Sequence, residues 1–463
     1  MANDSGFDAV VGELISLAGK LPPDSLLPST RHLQKRFQVS ALTAQRALAL
    51  LSSKGLLVTR PGRGSYTAAR RPATKGAELG WQTAALGSRT GLATDLEDLL
   101  APTPAGLLPL ASAFLDESLQ PLGLLAAAAA RAGRRPRGWS RPPADGVEEL
   151  RGYLAGEAGP SYRADNVIIT PGGQAALAAA CRYLGAPGDP IVLESPTYIG
   201  ALAAARSAGL HMVPVPTDEH GVLPDALADA LARSRARLVY LQPRHANPTG
   251  ATLAADRRPA VLDAVHQAGA FLIEDDWVRD LDIDGPTPAP LASLDDDGHV
   301  IYIRSLTKPV AAGLRVAALV ARGPALTRLR RGRLSDDLFV APALQHTALD
   351  VLTAPGWPRH LAGLRKALRL RRDTLTAALT ANLPDCDLHL NPAGGVHLWL
   401  RLPEGTSDTE VTTAAHRQGL TVSPGHAYFP AEAAYPYLRL SYAAADPDTL
   451  QHAAAALARV MSA

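Results

Sequence analysis

The sequence predicts an α/β protein with a separate, smaller N-terminal head: a three-helix unit with a hairpin over residues 1–66, a flexible linker over 67–107, and a largely parallel sheet covered by helices over 108–463. Three observations predict this. Charge is unevenly spread, since residues 1–71 carry ten Lys and Arg against four Asp and Glu, a balance of +6 within a chain whose net charge is +2. Apolar runs of strand length alternate with Ala- and Leu-rich helical stretches through the body, the pattern of a sheet with helices on both faces. At 463 residues and 47% hydrophobic content, the chain is long enough for about three domains with sizeable cores.

Composition also excludes several classes. The longest apolar run, Leu122 to Ala130, falls short of the ~20 residues a membrane helix needs, and Met1 to Ser5 lacks the start of a secretory leader. Cys181 and Cys386 stand far apart with no CxxC spacing, so we read them as reduced thiols in a cytoplasmic protein, and no metal site is suggested.

In the head, Phe7, Val11, Leu14, Ile15 and Ala18 recur at helical spacing and predict one apolar face. Three prolines between Lys20 and Pro28 end that helix. Ser29 and Ser40 are placed to cap a second and a third helix by accepting from backbone N–H groups. In the third, Ala44, Leu48 and Leu51 form the core side, while Thr43, Gln45 and Arg46 lie near the helix N-terminus, where a recognition helix meets base edges. Leu56 to Arg60 and Ser65 to Thr67 then read as a two-stranded hairpin whose tip, Pro61 to Gly64, is basic and glycine-bearing. The ordered text Leu27-Pro28-Ser29-Thr30-Arg31, Ser40 to Arg46, Gly55-Leu56-Leu57 and Pro61 to Gly64 resembles the winged helix-turn-helix head of GntR-family regulators. That resemblance implies double-stranded promoter DNA as partner, with contacts from Arg31, Ser40, Thr43, Gln45, Arg46, Gly62, Arg63 and Gly64. One departure is Ala41, which stands where such heads usually carry an arginine. A three-helix interaction module that binds no DNA is the alternative.

The linker is rich in Ala, Gly, Thr and Pro and shows only one short helical possibility, Asp95 to Leu100.

The body reads as strands at Asn166–Thr170, Ile191–Glu194, His211–Val215, Leu238–Gln242, Ala270–Glu274 and Val300–Ile303. In such sheets ligands bind beyond the carboxyl ends of the strands. Pro171-Gly172-Gly173-Gln174 before a helix starting at Ala175 lets backbone amides approach an anion. Tyr198 offers a ring at the crevice, Asn247 an amide held by the following Pro-Thr-Gly, and Asp275 a carboxylate able to keep a ring nitrogen protonated. After Val300–Ile303 come Ser305, Thr307, Lys308 and Arg315: an amine at a sheet mouth, two hydroxyls and a guanidinium suited to a phosphate dianion. Each taken alone also reads as ordinary structure: a turn, a packed tyrosine, a solvated aspartate pair, a surface lysine.

Together, in chain order, these motifs resemble fold-type I aminotransferases, which use pyridoxal 5′-phosphate (PLP). The resemblance implies a mainly parallel large domain and a smaller α+β C-terminal domain. It implies Lys308 as the Schiff-base lysine and phosphate contacts from Gly173, Gln174, Ser305, Thr307 and Arg315. It also implies Tyr198 on the ring, Asn247 at the phenolic oxygen, Asp275 at the ring nitrogen, and Arg439, in Tyr437 to Tyr442, gripping a carboxylate. Trp277 replaces a tyrosine of many relatives and can donate a hydrogen bond but cannot exchange protons as a phenol does. Near Asp145-Gly146 the tyrosine that relatives take from a partner subunit is not evident, and Trp139 is the nearest aromatic.

A GntR-like head on an aminotransferase-like body resembles the MocR family of regulators from end to end. This implies a PLP-binding, DNA-binding homodimer that senses PLP or its adduct with an amino compound and controls vitamin B6 or amino-acid metabolism. Two other readings stay open: a working aminotransferase with an accessory head, and a regulator whose body is only a dimerisation scaffold.

Overall fold

A computed structural model describes residues 4–60, 62–68, 79, 81–82, 85, 103–104 and 106–462 of the chain, which divides between Thr90 and Gly91 into two compact units. The short helix predicted at Asp95 to Leu100 lies outside the described residues.

The head is built from α1 (Asp4–Lys20), α2 (Thr30–Phe37), α3 (Ala41–Ser53), β1 (Leu57–Arg60) and β2 (Gly64–Thr67). Ser29 and Ser40 are the N-caps of α2 and α3, accepting from His32 N and Thr43 N. Gly55, at a φ of 69°, lets the chain leave α3. The hairpin pairs Arg60 with Gly64 and runs through Thr67, one residue into the expected linker. The sheet has the two strands predicted, and a single bridge from Leu26, in the segment after α1, adds to its edge at Tyr66. The core gathers Val10, Leu14, Leu33, Ala44, Leu48, Leu51 and Leu57. Of the predicted face of α1, Leu14 is in this core and Phe7, Val11 and Ala18 pack against it; the correction is that Val10 is buried, whereas Ile15 is 46% exposed. Val10 and Leu14 are spaced i, i+4 and form the inward stripe, which carries Ile15 about 100° round the helix and out of it.

In the body, β3 (Leu108–Pro109) precedes the main sheet. That sheet uses β4 (Val167–Thr170), β5 (Pro190–Ser195), β6 (His211–Asp218), β7 (Gly221–Val222), β8 (Leu238–Leu241), β9 (Phe271–Asp276), β10 (Val300–Ser305) and β11 (Ala317–Val320). Their order is β4-β11-β10-β9-β8-β5-β6-β7. All six predicted strands are present, and β9–β10, β8–β9, β5–β8 and β5–β6 are parallel. The sequence reading missed β11, which is antiparallel to both β10 and β4. Apolar residues fill both faces: Leu272 and Tyr302 belong to one core, Ile273, Tyr240 and Ile303 to the other. A smaller sheet orders β12 (Asp387–Leu388), β13 (His397–Arg401), β15 (Ser423–Pro424) and β16 (Tyr437–Ser441) as β12-β13-β16-β15. Between them in sequence, β14 (Leu420–Thr421) pairs in parallel with β3, so the start of the body is sewn to its C-terminal part.

Two boundaries matter for chemistry. The helix expected to start at Ala175 starts at Gly173. Asp275 and Asp276, expected on a loop, are the buried end of β9. Because successive strand side chains point to opposite faces, the two carboxylates part company there. Tyr240 and Gln242 donate to Asp275, while Tyr302 donates to Asp276. No helix among the described residues is long and apolar enough to cross a membrane.

Candidate functional site

Beyond the carboxyl ends of β4, β5, β8, β9 and β10 lies a cavity of about 420 Å³, lined by Gly173, Gln174, Tyr198, Asn247, Asp275, Trp277, Ser305, Thr307, Lys308, Arg315 and Arg439. Every body residue that the resemblance assigns to the cofactor or the carboxylate therefore meets the others in one hollow. Its size is that of a small-molecule site.

Lys308 follows β10 and is half-buried, with Nζ 3.8 Å from the centre of the Phe114 ring. Removal from water, reinforced by the Arg439 and Arg315 charges and opposed by Asp275, lowers its pKa to about 7. A large share of this amine is thus unprotonated and nucleophilic near neutral pH.

Beside it the chain makes an anion cradle. Gly172 has a φ of 102°, a conformation that favours glycine, and a Cβ there would come 2.5 Å from Arg315 Nη2 and push that guanidinium aside. A Cβ on Gly173 would approach that of Ser305 to 3.3 Å. The first N–H groups of the helix Gly173–Leu184 are free of intrahelical partners by geometry and carry its positive dipole end. Arg315 is exposed and anchored by its Nη2 donating to Pro171 O at 2.8 Å. Among the described residues, Thr307 Oγ1 is buried with no hydrogen-bond partner.

At the opposite end sits Asp275. Its Oδ2 accepts from Tyr240 Oη at 2.8 Å and from Gln242 Nε2 at 2.9 Å. Among the described residues no donor reaches Oδ1. Burial raises the pKa to about 6, against the lowering effect of the two donors. This carboxyl is ionised at neutral pH with one oxygen to spare, as a cationic ring N–H requires.

Asn247 and Arg439 close the third side. Arg439 Nη1 donates to Asn247 Oδ1 at 3.4 Å and Nη2 to Ala111 O at 2.5 Å, while Nε is buried without a partner among the described residues. A buried guanidinium left partly unpaired is costly, and an incoming carboxylate would offset that cost. Trp277 stacks on His397 with ring centres 5.6 Å apart, and its Nε1 is likewise buried and unpartnered among the described residues. Burial, with Arg439 and Lys308 nearby, holds the His397 imidazole neutral by pushing its pKa far below the usual value. Tyr198 lines the wall, and its phenol is pushed up by burial. Gln174 donates from Nε2 to Gly200 O.

Sequence reading assigned no site role to six lining residues: Ala113, Phe114, Leu177, Ile199, Gln242 and Tyr428. Only Gln242, the polar residue ending an apolar strand, left a signal. Trp139 is 76% exposed, bonded through Nε1 to Gly133 O.

In the head, the predicted contact residues divide. Arg31, Gln45, Arg46, Arg63 and the glycine tip are exposed, with Gly62 and Gly64 at φ 72° and 104°. Ser40 and Thr43 are instead tied to each other, Oγ to Oγ1 at 2.8 Å, in capping α3. Arg46 lies over the Phe7 ring at 5.6 Å, and Arg60 over Tyr66 at 4.5 Å. Pro61 lies outside the described residues.

The donor set fits PLP: a cradle for a dianion at one end, an acceptor for a ring N–H at the other, and an amine between. Comparison with known proteins agrees with this division of the chain. Residues 113–457 match the family Aminotransferase class I and II, and residues 13–66 match Bacterial regulatory proteins, gntR family. The uncharacterized HTH-type transcriptional regulator YdfD of Bacillus subtilis (strain 168) is 27% identical over 94% of this chain and 91% of its own length. The HTH-type transcriptional regulator TauR of Rhodobacter capsulatus is 29% identical over 96% of this chain and 94% of its own. Among solved structures, LysN, the alpha-aminoadipate aminotransferase of Thermus thermophilus complexed with N-(5′-phosphopyridoxyl)-L-leucine, aligns at a TM-score of 0.74. It is 30% identical and covers 80% of this chain and 95% of that one. The chain belongs to the aminotransferase class I and II family and carries a GntR-type DNA-binding head, the arrangement of the MocR transcription regulators.

Proposed function

We propose that the body holds PLP at Lys308 and reports its occupancy, or that of its adduct with an amino compound, to a head bound on promoter DNA. The observation that carries this reading is the set of buried, unpartnered polar groups around one half-buried amine of pKa about 7. Such groups are costly to retain in a mere scaffold. When bound, PLP supplies an aldehyde to an amine and a ring that draws electrons toward its protonated nitrogen.

The chain's own residues do the rest. Gly173, Gln174, Ser305, Thr307 and Arg315 bind the phosphate, Tyr198 stacks on the ring, Asn247 and Trp277 donate toward the phenolic oxygen, and Asp275 holds the proton at the ring nitrogen. Arg439 grips the carboxylate of an amino-compound effector. Residues 1–66 form the DNA head and 67–107 the tether from which it reaches DNA, ahead of a body at 108–463. The working unit is a cytoplasmic homodimer.

Adding PLP to the protein should produce a visible absorbance band that Lys308→Ala abolishes. An unchanged spectrum in the wild type would leave only the scaffold. A working aminotransferase is the second reading, favoured by Lys308, Asp275 and Arg439 lining one cavity. Sustained exchange of amino groups between an amino acid and a keto acid would carry it. The end-to-end match to regulators, and an exposed basic wing with no use in metabolism, favour the first.

A further inference from the structure

We infer that Gln242 is the positioning residue that sets the Asp275 carboxylate and the Asn247 loop in one rigid frame for the bound ring. The inference rests on PLP occupying the cavity as proposed above.

Gln242 is 2% exposed and lies just past β8, between the two residues it serves. Its Nε2 donates to Asp275 Oδ2 at 2.9 Å. Its Oε1 accepts from the backbone N–H of Asn247 at 2.9 Å. Its own backbone N–H donates to Glu194 Oε2 at 2.8 Å, which pins the residue from behind. The partners fix which way round the carboxamide sits, since a backbone N–H can only donate and a carboxylate only accept. One planar group thereby fixes the spacing between the acceptor at one side of the ring and the amide at another. A hydrocarbon cannot do this. Tyr240 alone would leave the carboxylate free to turn about a single bond, and the Asn247 N–H would be buried without an acceptor.

The carboxamide also offers a sharp test, because a protonated glutamic acid copies it. In Gln242→Glu, a neutral carboxyl can donate its O–H to Asp275 and accept from the Asn247 N–H. Once ionised, it can only accept, and two carboxylates then face each other. The titratable groups around this position are Asp275, Asp276, Glu194, Tyr198, Tyr240 and Lys308. All are shared by wild type and variant, so their contributions largely cancel in a ratio of affinities.

The experiment measures the PLP dissociation constant and the visible band of the full-length protein from mildly acidic to mildly alkaline pH. Wild type, Gln242→Glu and Gln242→Leu are compared, with apo-protein thermal unfolding as a check that each folds. We expect Gln242→Leu to bind PLP about tenfold more weakly at every pH, the loss typical of a hydrogen bond to a charged group. We expect Gln242→Glu to match wild type at acid pH and to fall about tenfold or more behind as pH rises. A Gln242→Glu variant that binds as weakly as Gln242→Leu at acid pH, or a Gln242→Leu variant that binds as wild type does, would overturn the inference while leaving PLP binding itself intact. Failure of the wild type to bind PLP would instead overturn the reading on which it rests.

Discussion

The head and the body expose opposite ways of building a site. In the head, polar groups are spent locally or left in water: Ser40 caps α3, while Arg36 pairs with Glu13 and Arg60 with Asp24 at the surface. In the body, comparable polar atoms are buried and kept unpartnered, as at Thr307 Oγ1, Trp277 Nε1 and Arg439 Nε among the described residues. Surface charges act through solvent and are interchangeable, so losses should be graded and salt-dependent. Desolvated donors act at fixed distance, so losses should be steep and particular to one ligand.

The most severe break expected is Lys308→Ala. It should abolish the visible band entirely, while DNA affinity without PLP stays as in wild type in a mobility shift. If the variant also lost DNA binding, the two regions would not be the separate devices described. Next in size, replacing Arg31, Arg46 and Arg63 together by alanine should weaken promoter binding by about 10² or more and flatten the salt dependence by roughly 0.9 per lost phosphate contact. PLP binding should not change, and each single replacement should give only part of the loss. Arg439→Ala sharpens the body's side of the contrast. PLP should still bind within a few-fold, but perturbation of the bound spectrum by amino acids should need about 10- to 100-fold more ligand, the scale for losing a charged hydrogen-bond partner.

Smaller effects follow. The Lys308 amine has a lowered pKa of about 7, so below that pH it is protonated and inert, and the rate of PLP capture should climb as pH passes through about 7 and then level off. A midpoint near the ordinary lysine range would mean the amine is in water. Smallest of all, Ser40→Ala should cost about 1 kcal/mol in denaturant unfolding of the head and leave the PLP spectrum untouched.

Legibility followed the same divide. Strands β4 to β6 and β8 to β10 were readable because branched apolar runs such as Val167–Thr170 have few alternatives. Strand β11, Ala-Ala-Leu-Val, could as well be helix, and only its antiparallel partners make it a strand. Motif residues such as Asn247, Asp275 and Lys308 were legible as a series. Phe114 and Tyr428 were not, since they reach the cavity from far along the chain and no spacing connects them to it. What the text did not show is how Asp275 is held: an aspartate pair alone reads equally as a solvated turn, and the donors Tyr240 and Gln242 come from the neighbouring strand and the residue just past it. On α1, Val10 and Ile15 are alike as apolar text, and only packing puts Val10 in the core and leaves Ile15 outside it.

The central claim is that occupancy at Lys308 changes what the head does on DNA, and it is tested most directly by titrating a labelled promoter fragment with protein in the presence and absence of PLP. The account predicts a change in affinity of about 5- to 150-fold for the wild type, the range of a coupling free energy of about 1–3 kcal/mol, and none for Lys308→Ala. Identical binding curves with and without PLP, for a wild type whose spectrum shows the cofactor bound, would contradict it.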